Sequence, residues 1–345
     1  MKNSCEMKLK VGFTYDLKDD YELKPDDPPD KYAEFDTKET ISYIESALKT
    51  SGHNIVRIGH AKNLIKKLVE GEKFDIIFNI CEGLKGRSRE AQVPAILELY
   101  EIPYVGSDPL TMALTLDKTL AKKIVQYHGL NTANFICINS IDEISPRKFK
   151  LRFPLIVKPS QEGTSKGLSK ESLVKNFTQL KKRVEWVLET YKQPVLIEEF
   201  IVGYEFTVAI VGNEPPEVLP PVQIAINNET DLGENFYTHA RVESPEIKYI
   251  CPANIDKSLD KKLRDLALVA YEVLGCRDLG RIDIRVDYDE NPYFLECNPL
   301  PNLGKIDVFP LVAKATGRTY EELICYILEA GIKRAMQTDA KHRSE

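Results

Sequence analysis

An α/β amino-terminal unit of the doubly wound type, followed by α+β structure, is the fold class that this chain predicts. Three observations carry it. The first third alternates short apolar runs with amphipathic stretches; from Asp117 a charged helix and a glycine-containing loop take over; beyond Val195 strands dominate. At 345 residues and about 150 residues per domain, there is room for two or three domains. The pattern divides near 1–115, 116–200 and 201–345.

Residues 11–15 read as a buried strand, 36–50 as a helix with Ile41, Ile44 and Leu48 on one face, and 54–58 as a second strand. A helix over 64–69 and a strand over 75–80 complete a βαβαβ order, which implies a parallel sheet with ligands off the strands' carboxyl ends, here Asp16, Gly59 and Asn79. The acidic, proline-rich stretch 19–30 is a loop, either a lid or a floppy insertion. A helix over 117–128, a strand over 153–158 and a helix over 171–190 follow. Strands are expected at 195–200, 205–211, 217–224, 280–287 and 292–297, with helices at 257–274 and 319–334. The polar stretch 226–248 is too long for a passive connection.

Hydrophobic residues at 43% and charged residues at 29% exclude a disordered chain, a collagen or a coiled-coil rod. A net charge of −6 argues against a surface that coats nucleic acid or anionic membrane. The seven cysteines are scattered, with no close pair to hold zinc, so reduced thiols are expected. The opening residues lack an apolar core of signal-peptide type, and no apolar run approaches the roughly 20 residues that span a bilayer. A soluble, cytoplasmic protein is the expectation.

Three constellations carry chemistry. The loop 158–167, Lys-Pro-Ser-Gln-Glu-Gly-Thr-Ser-Lys-Gly, follows an apolar strand; its glycines, Thr164, Ser165 and Lys166 suit a phosphate clamp, or else a solvated hairpin tip. In the strand pair 280–287 and 291–298, a turn centred on Asp289-Glu290 sets Asp283 opposite Glu296 and Arg281 opposite Asn298. Opposed carboxylates repel, unless a hard cation such as Mg²⁺ sits between them. The alternative is a solvated face whose acids pair with Arg281 and Arg285. Third, Glu198, Glu199 and Glu205 lie beside apolar strands, where they could accept from an adenine amino group or ribose hydroxyls, or simply face solvent. No nucleophilic triad emerges; among the histidines only His239 falls inside the long polar loop.

Taken in order, these blocks resemble the ATP-grasp enzymes and, more narrowly, the D-alanine:D-alanine ligases. The resemblance runs over about 8–335, through Tyr104-Val-Gly-Ser-Asp, Leu116-Asp-Lys-Thr-Leu-Ala-Lys, the 154–167 loop, Glu198-Glu-Phe-Ile-Val-Gly-Tyr-Glu-Phe-Thr-Val, Tyr249-Ile-Cys-Pro-Ala and the strand pair. It implies an ATP-grasp fold with an amino-terminal doubly wound domain. It also implies a cytoplasmic ligase of cell-wall peptidoglycan synthesis that uses ATP and Mg²⁺ or Mn²⁺ to join amino acids or amines through an acyl phosphate, as a homodimer with no nucleic-acid or membrane partner.

The implied roles are as follows. Lys118, Lys158, Thr164 and Ser165 hold phosphates; Glu198, Glu199, Phe200 and Glu205 surround adenine and ribose; Asp283, Glu296 and Asn298 ligate the metal. Arg281 steadies the transferred phosphoryl group, Arg241 stands where the family's mobile loop has a phosphate-touching lysine, and Glu34 where it anchors the first ammonium. Departures cluster on the substrate side: 79–91 replaces the family's His-Gly-x-x-Gly-Glu-Asp-Gly, Val242 replaces a tyrosine, and Asp307 stands where a serine cradles a carboxylate, with Lys305 nearby. Substrates other than two D-alanines, a hydroxy acid among them, and a non-catalytic nucleotide-binding regulator are the alternative readings.

Overall fold

The computed structural model describes residues 8–147, 149–241 and 244–342. Val242 and Cys5 lie outside the described residues, as does the side chain of His239. Alternating β1 (Lys10–Tyr15), α1 (Lys38–Thr50), β2 (Asn54–Gly59), α2 (Ala61–Val69), β3 (Ile76–Ile80), α3 (Gln92–Leu99) and β4 (Tyr104–Val105) build a four-stranded sheet in the order β2-β1-β3-β4. Every pairing in it is parallel, as the βαβαβ pattern requires. Strand alternation splits its side chains: Val11, Phe13, Ile76 and Phe78 enter one core, while Ile58 and Ile77 enter another with Leu64, Leu68, Val93 and Leu97 of α2 and α3. α1 begins where Thr37 caps it by accepting from Thr40 N, and buries Ile41, Ile44, Ala47 and Leu48.

α4 (Pro109–Leu116) and α5 (Lys118–Tyr127) meet at Asp117, whose side chain caps α5. The second sheet is antiparallel, in the order β5-β8-β6-β7, from β5 (Phe135–Ile138), β6 (Leu155–Pro159), β7 (Leu173–Val174) and β8 (Val195–Glu199). α6 (Phe177–Tyr191) covers it, and their apolar core draws only on this part of the chain. α6 starts at 177 rather than 171, because Leu173 and Val174 pair with β6 and Asn176 supplies the cap.

The third sheet runs β12-β11-β9-β13-β14 with β10 on β9. Its strands are β9 (Tyr204–Val211), β10 (Glu217–Val218), β11 (Val222–Ile226), β12 (Ile247–Ile250), β13 (Leu279–Val286) and β14 (Pro292–Asn298). The strand expected over 217–224 is two strands, because Pro220 and Pro221 bring no amide to a ladder. α7 (Lys257–Val273) packs on this sheet, while α8 (Val308–Ala315) and α9 (Tyr320–His342) reach back to the first one. There Phe309, Val312, Leu323, Ile324 and Ile327 join Val11, Phe13, Ile44 and Phe78 in a single core. No described helix is long and apolar enough to cross a membrane, and the six described cysteines are free.

Candidate active site

The three sheets border one cleft of about 520 Å³. Lys118, Lys158, Thr164, Ser165, Glu198, Phe200, Glu205, Arg281, Asp283, Glu296 and Asn298 all line it, as does Glu34. The carboxyl ends of the parallel sheet contribute differently: Asp16 accepts from Tyr21 and Gly83 N, and Asn79 from Thr14 and Cys81 N, so both are engaged in loop structure.

At one end Glu198, fully buried on β8, faces two ammonium groups, with Lys122 Nζ at 2.6 Å and Lys158 Nζ at 2.7 Å. Burial pushes its carboxyl up, but the two cations outweigh burial and hold it below the ordinary value. Lys122 is buried on α5 one turn beyond Lys118 and was missed in the sequence; the i, i+4 spacing of Lys118 and Lys122 was the available signal. Glu205 faces Arg285 Nη1 at 3.0 Å, and that guanidinium also stacks 4.8 Å from the Phe200 ring. Burial, against the pull of Arg285, leaves Glu205 above the usual carboxylate range. Glu199, the next residue on β8, turns to the other face and accepts from Arg152 and Asn134. Its side-chain oxygens are therefore engaged there, while Glu199 still lines the cleft beside Phe200.

At the centre the expected hairpin register holds. Arg281 pairs with Asn298 and Asp283 with Glu296, and a bulge at Leu295 then shifts the ladder so that Ile284 meets Phe294. Arg281 grips Asp283 through Nε at 3.0 Å and Nη2 at 3.1 Å, while Lys118 Nζ lies 3.0 Å from Glu296. Burial raises Asp283, an effect Glu296 adds to and Arg281 opposes. Burial would raise Glu296 too, but Lys118 and Lys158 bring it down to about 2. Asn298 Nδ2 donates to Asp283. Adjacent hard oxygen donors, one carboxyl raised and one depressed, fit Mg²⁺ or Mn²⁺. The described residues contain no cluster of three His, Cys, Asp or Glu side chains suited to a metal, so an ion held by this pair and Asn298 would complete its shell with substrate oxygens and water.

Over the centre lies the 160–167 loop, with Thr164 and Ser165 in left-handed backbone at φ 46° and 54°. Glu34 accepts from Gly163 N at 2.6 Å, Arg89 at 2.8 Å and Lys166 at 3.1 Å. Burial raises Glu34, yet Lys166 and Arg89 keep it low. This carboxylate, which the resemblance implies as the anchor of the first ammonium, meets two of the chain's own cations here. Sequence reasoning missed Arg89, because its partners lie 55 and 73 residues away. Beside it Glu82 and Glu90 also line the cleft, Glu90 pushed up to about 7 by burial. Arg241 is not brought to the cleft: its guanidinium donates to Phe236 O at 2.9 Å and Glu246 at 3.3 Å, within its own excursion of the chain. Lys305 does not reach Asp307; its Nζ lies 4.9 Å from the centre of the Tyr43 ring.

Residues 124–329 match the family model described as D-ala D-ala ligase C-terminus. A protein of Sinorhizobium fredii named uncharacterized protein y4sG is 35% identical, over 84% of this chain and 87% of its own. The D-alanine--D-alanine ligase of Nitrosomonas europaea is 34% identical, over 83% and 89%. Among solved structures, the D-alanine--D-alanine ligase of Bacillus anthracis, crystallised with ATP, superposes with a TM-score of 0.74 at 23% identity, covering 96% of this chain and 99% of that one.

Proposed function

The chain belongs to the D-alanine--D-alanine ligase family, a family of ATP-dependent ligases, and from that premise we propose that it activates the carboxylate of a small amino acid such as D-alanine and joins it to an amine. The donor carboxylate oxygen attacks the γ-phosphorus of ATP, the bond to ADP breaks, and an acyl phosphate forms. The amine nitrogen then adds to the carbonyl carbon, forming the C–N bond and a tetrahedral intermediate, whose collapse breaks the C–O bond to phosphate; the electron pair leaves on phosphate, which also takes the amine's proton. No protein nucleophile is needed, since positioning and charge carry such chemistry.

In this reading Lys118 and Lys158 hold phosphates, with the amides and hydroxyls of Thr164 and Ser165 above them, and Glu198 and Glu205 receive adenine and ribose. Arg281 faces the charge that develops on the phosphoryl group and the tetrahedral intermediate. Asp283, Glu296 and Asn298 would hold the divalent cation, which when bound neutralises phosphate charge. The convergence of Lys118, Lys158, Arg281, Asp283 and Glu296 on one cleft supports the reading. A cytoplasmic homodimer of three domains divided near 115 and 200 goes with it, and sedimentation tests the dimer.

The central test is ADP release with D-alanine, ATP and Mg²⁺, with the product identified by mass. Turnover that Asp283→Asn abolishes is expected. ATP left intact with every D- and L-amino acid supplied, both alone and with hydroxylamine or D-alaninamide as acceptor, would overturn the assignment in favour of a nucleotide-binding protein without catalysis.

A further inference from the structure

Resting on the ligase reading, we propose that the acceptor is an amine with no carboxylate beside its nucleophilic nitrogen, and that Asp307 is the residue that excludes one. Arg281 is the cation beside which the acyl phosphate would be attacked. Its guanidinium is shared: Nε and Nη2 engage Asp283, and Nη1 reaches Asp307 at 3.4 Å. A nitrogen that arrives at a carbonyl next to Arg281 therefore stands next to Asp307 as well.

The same side chain closes the other place where an anion could dock. Asp307 is the N-cap of α8, and its Oδ1 accepts from Val308 N at 2.6 Å. A helix N-terminus attracts carboxylates because its first amides lack partners; here the chain's own carboxylate has taken that position. The neighbouring wall sets acids around its one lysine. Gly304 lies against Thr40 of α1, where Glu39, Lys18 and Asp36, the last pushed up to about 7 by burial, also line the cleft. The loop's own cation, Lys305, is exposed and set over the Tyr43 ring. The Tyr237 and Tyr249 hydroxyls, 2.8 Å apart, line the same cleft close enough for the Asp307 charge to act on both. An acceptor carboxylate would meet like charge, whereas an amide, an ester or a second ammonium would not.

The experiment compares D-alanine with D-alaninamide as acceptor, using D-alanine as donor with ATP and Mg²⁺, and measures amide product by mass. D-alaninamide has no carboxylate to activate, so it reports on the acceptor alone. The expected result is a kcat/KM at least about tenfold higher for D-alaninamide. Asp307→Asn and Asp307→Ser, both residues that can cap α8, should move that ratio at least about tenfold toward D-alanine. Equal or better use of D-alanine by the unaltered protein, or a ratio that neither variant changes, overturns the inference. Hydroxylamine in place of the acceptor reports activation separately. Hydroxamate without amide from either acceptor sinks the inference alone; no hydroxamate and no ADP sinks the ligase reading and the inference with it.

Discussion

Asp30 and Gly167 meet across 137 residues, the buried Asp30 Oδ2 accepting the Gly167 amide at 2.8 Å. Tyr191 donates its hydroxyl to the same carboxylate at 2.8 Å. Gly167 needs its φ of +73° to present that amide, and a Cβ there would lie 2.7 Å from Pro159 Cγ. The acidic, proline-rich insertion is thus an ordered arm. Tyr32 stacks on both Tyr21 and Phe35, and Asp30 and Glu34 hold two glycines of the loop over the cleft.

If that arm sets the loop, Asp30→Ala should raise KM for ATP about tenfold with a smaller change in kcat, and cost about 1–3 kcal/mol of stability. Asp30→Asn, which keeps one acceptor oxygen, should do less of both. Steady-state kinetics and urea unfolding check it. An unchanged KM in Asp30→Ala would detach the arm from nucleotide binding.

Removing one member of the Lys122–Glu198–Lys158 triad leaves a buried charge short of a partner. Lys122→Met is expected to destabilise the protein by about 3–5 kcal/mol. The double variant Lys122→Met with Glu198→Met should cost less than the two single changes added together, which chemical denaturation of all three would measure.

Glu296 should set the divalent-ion requirement. Glu296→Gln is expected to lower ADP release at least about a hundredfold at ordinary Mg²⁺ and to raise the Mg²⁺ needed for half-maximal rate. Chelation should stop the unaltered enzyme. A Mg²⁺ titration superimposable on that of the unaltered protein would remove Glu296 from the ligand set.

Glu90 supplies a pH test. Burial, partly opposed by Arg89, lifts it from the ordinary 4.5 to about 7. The folded state therefore holds a proton that the unfolded chain has released, so the contribution to stability is present below pH 4.5 and lost as pH rises through about 7. Glu82 is shifted the same way by its own burial and by Glu90. Glu90→Gln should flatten the fall of thermal midpoint between about pH 5 and pH 8 and raise the midpoint at the alkaline end. Parallel melting curves for the two proteins would contradict this.

What the sequence disclosed, and what it withheld, follows from range. Asp283 and Glu296 were legible as opposite residues because a short hairpin fixes register locally, although the bulge at Leu295 was needed to bring the ladder into that register. Strand alternation should have separated Glu198 from Glu199, which share a strand and face opposite ways. Arg89, Lys166 and Glu34 form their cluster only after the arm, the first sheet and the central sheet have come together, and nothing local in any of the three segments announces it. For Arg241, expected near phosphate, position along the chain says nothing of Glu246, five residues on, to which its guanidinium donates.

The apolar core that Val11, Phe13 and Phe78 share with Phe309, Leu323 and Ile327 bears on how the polypeptide is made. A chain emerging from the ribosome amino end first completes the self-contained core around Val157, Val184 and Ile197 as that segment appears. The strands that emerged before it have one face covered by α2 and α3 and the other covered only in part by α1, and must wait for the last helices before that second face is sealed. Synthesis of this protein therefore leaves its oldest segment half-open the longest, and it is there, rather than at the nucleotide cleft, that a holding chaperone would have apolar surface to grip.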